Sequence, residues 1–177
     1  PDSPYHSLDL NDDLEIEDDY DEEEEPTVTA NDSNQMNGYA SVKPDAETAS
    51  AIYSHLESLG INNLIAPSDM HVTLMYSRNK PITVDADPVR VYEAQISGDI
   101  EIMGKEPWRA LVMHLESPDL QKRFAELKAS GAEHSYPEYR AHLSIKYNPE
   151  NGDLQKLKDT PLPIKVIRLD GEEFKPI

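Results

Sequence analysis

The chain has no cysteine, which excludes disulfides, thiol nucleophiles and every cysteine-ligated zinc site, and fits a reducing compartment. It has no apolar run near the roughly 20 residues that span a bilayer, and its start lacks the basic-then-apolar layout of a secretory signal. Tryptophan is nearly absent, with Trp108 the single copy. Positive charge is missing altogether from Pro1 to Gln35, which holds fourteen Asp or Glu and no Lys or Arg. The net charge of -19 therefore resides mostly in this arm, leaving -5 for the remainder. With few large apolar residues and mutually repelling charges, residues 1–35 are expected to be a disordered acidic arm or linker. Its tether-like composition, on a chain that starts at Pro1, leads to the expectation of a covalent fusion to an upstream region. An acidic chain repels polyphosphate backbones at long range. That argues against extended nucleic-acid binding and leaves room for a small nucleotide held by local cations.

From residue 36 to 177 the pattern is that of one folded domain. Tyr39–Lys43 reads as a strand ended by Pro44. Asp45 is the expected N-cap of a helix carrying Ala49, Ile52, Tyr53, Leu56 and Leu59 on one face, with Gly60 as its stop. Ala110–Leu115 then reads as a buried strand, followed by Ser117 as N-cap, Pro118 at the first helical position, an apolar stripe of Leu120, Phe124 and Leu127, and Gly131. Eleven residues beyond Gly60 stands His71, and eleven beyond Gly131 stands His142. The segments His71-Val72-Thr73-Leu74-Met75-Tyr76 and His142-Leu143-Ser144-Ile145-Lys146-Tyr147 share histidine, a hydroxyl at +2, an aliphatic at +3 and tyrosine at +5. Regular strand alternation puts His71, Thr73 and Met75 on one face, and likewise His142, Ser144 and Lys146. Further strands are expected through Val89–Ile96 and Ile164–Leu169, with residues 78–87 joining the halves. The expected fold is α+β: two pseudo-symmetric strand–helix lobes whose antiparallel sheets line a central cleft.

Histidine followed by Ser or Thr at +2 is a weak pattern alone; with six histidines and twenty Ser or Thr, about 0.7 matches arise by chance, and two are present. The matching strand context, the tyrosines and the equal spacing give the pair its weight. His6, His55, His114 and His134 lack the hydroxyl and read as ordinary surface or core histidines. A neutral imidazole takes a proton from an attacking hydroxyl and an imidazolium gives one to a leaving oxygen, so two histidines can divide acid and base work near neutral pH. Phosphoryl transfer builds charge on non-bridging oxygens, for which Thr73 and Ser144 are short, fixed donors. Lys146 and Arg140 are candidate cations for the same face, or plain surface charges. A zinc site on these histidines lacks a third ligand at recognisable spacing, so no metal or other cofactor is expected.

The paired motifs His71 to Thr73 and His142 to Ser144 on repeated lobes resemble the two-histidine phosphoesterase superfamily. More narrowly, Asn37-Gly38-Tyr39-Ala40, His71-Val72-Thr73, Trp108 and the closing Leu169-Asp170-Gly171-Glu172-Glu173-Phe174 resemble the phage anti-CBASS cyclic-oligonucleotide phosphodiesterases. That resemblance implies metal-independent cleavage of 3′,5′-linked cyclic di- or trinucleotide messengers in the cytoplasm of an infected bacterium, countering the CBASS antiphage defence. It also implies His71, Thr73, His142 and Ser144 as catalytic, and Tyr39, Trp108 and Glu172 as substrate-binding, with the adjacent Glu173 not separable from Glu172. Two alternatives stay open: a 2′,3′-cyclic phosphodiesterase or RNA-end-processing enzyme, and a non-catalytic nucleotide-binding appendage of a larger phage protein. Neither histidine is assigned as base or acid.

Overall fold

The computed structural model describes residues 37–177; the acidic arm, and the fusion expected upstream of it, lie outside the described residues. The chain begins on β1 (Asn37–Pro44). Gly38 is required there, because a Cβ at that position would clash with the Ser77 carbonyl oxygen. Asp45 caps α1 (Ala46–Ser58), its side chain accepting from the Thr48 N–H at 2.8 Å. Ala49, Ile52 and Leu56 form the buried face of α1, and Gly60, at φ 83°, turns the chain away from it. A single 3-10 turn (Pro67–Asp69) leads into β2 (Val72–Tyr76).

A connection without helix or strand then reaches β3 (Tyr92–Met103), which pairs with β4 (Ala110–Glu116). Ser117 caps α2 (Pro118–Ala129) by accepting from the Leu120 N–H at 3.0 Å. The chain closes with β5 (His142–Tyr147), α3 (Asp153–Asp159) and β6 (Val166–Pro176).

The strands form one six-stranded sheet in the order β2-β1-β6-β3-β4-β5, with every neighbouring pair antiparallel. From either edge the order is the same: a histidine motif strand, the strand that precedes the helix, then a long inner strand. The halves β2-β1-β6 and β5-β4-β3 meet where Tyr92 to Gln95 pair with Leu169 to Val166. The α+β fold of two related lobes is therefore present, and the lobes share a continuous sheet.

Ala40 and Val42 on β1, and Leu111 and Met113 on β4, pack with Ile52, Leu56, Leu120 and Leu127 of the helices in the main core. Burial of each of the larger side chains contributes about 1.5–3 kcal/mol, which commits that face of the sheet to the interior and leaves the other for polar groups. The connections cross between lobes. The Ile65 N–H donates to the Ile145 carbonyl at 2.9 Å, and the Ser135 N–H donates to the Tyr76 carbonyl at 2.7 Å. Each edge strand is thus partly covered by the other lobe, which satisfies edge groups and holds the two motifs close. Among the described residues no helix is long and apolar enough to cross a membrane.

Candidate functional site

Both motif strands carry a β-bulge at the same step. On β2, Thr73 opposes Ser41 and Met75 opposes Ala40, so Leu74 is the extra residue. On β5, Ser144 opposes Val112 and Lys146 opposes Leu111, so Ile145 is extra. A bulge shifts every later side chain to the other face. This corrects the alternation expected from sequence. Met75 joins the main core, and Lys146, 1% exposed, turns inward to an ion pair with Asp153 at 2.7 Å. Lys146 is therefore not a cation of the cleft. Tyr76 packs instead with Tyr39 and Tyr136, apart from the main core, and Tyr147 lines a cavity beside His71.

Two cavities open on this face. One, of about 640 Å³, is lined by residues including Tyr39, Ser41, Lys43, His71, Tyr147 and Glu173. The other, of about 260 Å³, includes Thr73, Met103, Tyr136, Tyr139, Arg140 and His142 in its walls. They are linked through Tyr39 and Thr73, whose hydroxyl oxygens lie 3.0 Å apart. Ser144 is buried two residues beyond His142 on the same strand face. The structure thus gathers His71, Thr73, His142, Ser144 and Tyr39 onto one side of the sheet. Tyr39, a strand tyrosine with two possible orientations, has its ring edge-on to His71 with centroids 6.5 Å apart.

The two imidazoles are held alike. His71 Nδ1 lies 3.1 Å from the Asp69 carbonyl oxygen, and His142 Nδ1 lies 2.9 Å from that of Arg140, in each case two residues upstream. A carbonyl oxygen only accepts, so each Nδ1 carries the proton and Nε2 becomes the nitrogen that exchanges one. Such a pair can act as base in one lobe and acid in the other, with hydroxyls one strand repeat away. Tyr139 donates its hydroxyl to the Thr73 carbonyl at 2.9 Å, and burial pushes its pKa upward.

Glu172 and Glu173 point to opposite faces. Glu172 is 3% exposed, with its carboxylate against Arg123 of α2. Arg123 Nη2 donates to it at 2.7 Å, the Tyr92 hydroxyl at 2.6 Å and the Asp87 N–H at 2.8 Å. Burial alone would raise its pKa; the Arg123 guanidinium, the Tyr92 hydroxyl and the Asp87 N–H outweigh it and hold the carboxyl below the ordinary glutamate range. Of the two, Glu173 is the one in the cleft. Trp108 is 37% exposed on the turn between β3 and β4 and is not among the residues lining either cavity.

Several site residues carry no signature in the sequence. Tyr136 stacks on Tyr76 with ring planes at 27°, and it sits in a connection with no periodicity to reveal it. His134 accepts the Tyr76 N–H on Nδ1 at 3.1 Å, and burial lowers its pKa to about 4. His114, read as an ordinary strand histidine, lies across the sheet from His142. The tyrosine shared at +5 was the available signal for a cleft role; only the bulges reveal which way it points.

A family model described as anti-CBASS protein Acb1 matches residues 37–177. Relatives named anti-CBASS protein Acb1 include one from Enterobacteria phage T4, 29% identical over 138 residues, covering 77% of this chain and 88% of that protein. Another, from Yersinia phage phiR1-RT, is 30% identical over 140 residues, covering 78% of this chain and 87% of the relative. One from Escherichia phage RB16 is 27% identical over 144 residues, covering 77% and 79% respectively.

Proposed function

Because the chain belongs to the Acb1 family of anti-CBASS proteins, we propose that it counters that defence as a phosphodiesterase of two-histidine type, cleaving cyclic oligonucleotide messengers in the host cytoplasm. The observation that carries this reading is the duplicated histidine, each anchored through Nδ1 to a carbonyl two residues upstream. In the proposed reaction one imidazole takes the proton of a ribose 2′-hydroxyl through Nε2. The 2′-oxygen forms a bond to the adjacent phosphorus, the bond to the 5′-oxygen breaks, and the other imidazole delivers a proton to that oxygen. The product is linear, with a 2′,3′-cyclic phosphate end. Nucleophile and phosphorus already share one molecule, so holding them in line replaces a bimolecular encounter. Thr73 and Ser144 donate to the non-bridging oxygens as their charge grows. Tyr39 and Glu173 contact the substrate in the larger cavity; Trp108, from its turn, stacks on a base. Glu172 serves the fold.

The test is turnover of a panel of cyclic di- and trinucleotides in excess chelator, with mass spectrometry of the product ends. The expected result is cleavage of a 3′,5′ linkage unaffected by chelator. Intact cyclic substrates, alongside opening of RNA that ends in a 2′,3′-cyclic phosphate, would replace this reading with the end-processing one. Binding with no product over long incubation would make the protein a nucleotide sponge.

A further inference from the structure

The repeat sets residues 71 positions apart in correspondence, as His71 and His142 are. Ser41 therefore maps onto Val112, and their partners on the inner strands are Glu173 on β6 and Glu101 on β3. These glutamates are equivalents contributed by strands with no recognisable similarity. Their surroundings differ. Glu173 lines the larger cavity beside His71; Glu101 lines a separate cavity of about 550 Å³ with His114 and Arg140, and its Oε2 accepts both His114 Nε2–H and, at 3.1 Å, Arg140 Nη2.

Both of those partners bear on His142. His114 stands opposite it across β4 and β5, with ring centroids 6.2 Å apart and planes at 66°. Arg140 supplies the carbonyl that holds its Nδ1. One carboxylate oxygen thus fixes the ring beside His142 and the residue that sets its tautomer. We propose that Glu101 is a positioning residue for His142, acting through His114 and Arg140. The inference rests on the phosphodiesterase reading for its kinetic consequence. The first lobe has no such device on the same pattern, since Lys43 occupies the place of His114.

Electrostatics act in the same direction as geometry. The charged and titratable groups around His142 are Glu101 on β3, His114 on β4, and His134, Tyr136, Glu138, Tyr139 and Arg140 on the preceding connection. Removing the Glu101 charge leaves Arg140 unneutralised near the ring, which disfavours the imidazolium of His142. The stability at stake is small: Glu101 and Arg140 are 45% and 50% exposed, and such pairs contribute little to folding.

The experiment compares the parent protein with Glu101→Gln. Expected for the variant are an unchanged unfolding curve, a kcat for cyclic GMP–AMP lower by roughly 10-fold to 100-fold, and KM within about 2-fold. One limb of its kcat–pH profile moves to lower pH and the other stays. In parallel, nitrogen-15 imidazole NMR follows His142 without reference to turnover. The parent should show the Nδ1–H tautomer, and the variant a lower titration midpoint with mixed tautomers. If the parent cleaves no cyclic nucleotide, the functional reading fails while the NMR still decides the positioning role. An unchanged tautomer and midpoint for His142 in the variant would overturn the proposal.

Discussion

In the first lobe the Thr73 hydroxyl is held by Tyr39, 3.0 Å away; in the second lobe the position equivalent to Tyr39 is Ala110, each of the two opposing the tyrosine of its motif strand. Beside His71 the corresponding strand carries Lys43, whereas beside His142 it carries His114 bound to Glu101. The histidine and hydroxyl of each motif are duplicated, and the groups around them are not. Acid–base catalysis by such a pair would need that combination: two imidazoles of like geometry must differ in protonation when the reaction begins, and different neighbours are a means of making them differ.

Substitutions that separate the lobes, or separate support from chemistry, sharpen this comparison. The largest effect on folding is expected at Glu172, whose side chain is fully buried against Arg123. Glu172→Gln should cost about 3–5 kcal/mol in chemical denaturation, while Glu173→Gln should stay within about 0.5 kcal/mol and register in activity instead. The sign follows from the lowered Glu172 pKa: its contribution is present above the ordinary glutamate value of 4.5 and is lost as pH falls through the folded value. The penalty of the Gln variant should accordingly shrink in acid.

Next come the hydroxyls. Thr73→Ala and Ser144→Ala should each lower kcat by about 100-fold to 1,000-fold with the fold intact. A loss confined to one lobe, measured in steady-state kinetics, would break the idea that both donate. Tyr39→Phe, which removes the hydroxyl that supports Thr73 and keeps the ring in the cavity wall, should cost roughly 3-fold to 10-fold in kcat, the worth of one hydrogen bond.

At neutral pH the smallest effect is expected at His134, which joins the second-lobe connection to β2 while neutral. Its pKa falls from 6.5 to about 4 on folding, so the unfolded chain binds the proton first and stability declines as pH drops through that window. His134→Asn, whose Oδ1 can accept from the Tyr76 N–H, should flatten that part of the stability–pH curve measured by thermal melts.

Much of the fold was legible because its signals are local. Asp45 and Ser117 are caps, Gly60 and Gly131 are stops, and the motif strands carry alternating apolar residues. The catalytic candidates were legible because the chain states them twice. What escaped depends on partners distant in sequence. No residue near Leu74 or Ile145 announces a bulge, so the faces of Met75, Tyr76, Lys146 and Tyr147 were assigned by plain alternation and came out reversed. Glu172 and Glu173 could not be told apart until Arg123, on another element, claimed one of them. Glu101 lies on a strand without a motif, and its relation to His142 exists only through cross-strand register.

The central claim is that His71 and His142 act as one unit. A kinetic cycle of His71→Ala, His142→Ala and the double variant on a cyclic dinucleotide tests it most directly. A joint mechanism predicts that each single substitution lowers kcat by about 1,000-fold or more, and that the double variant falls only a few-fold below the weaker single. Losses that multiply in the double variant, or near-parental turnover in either single one, would contradict it.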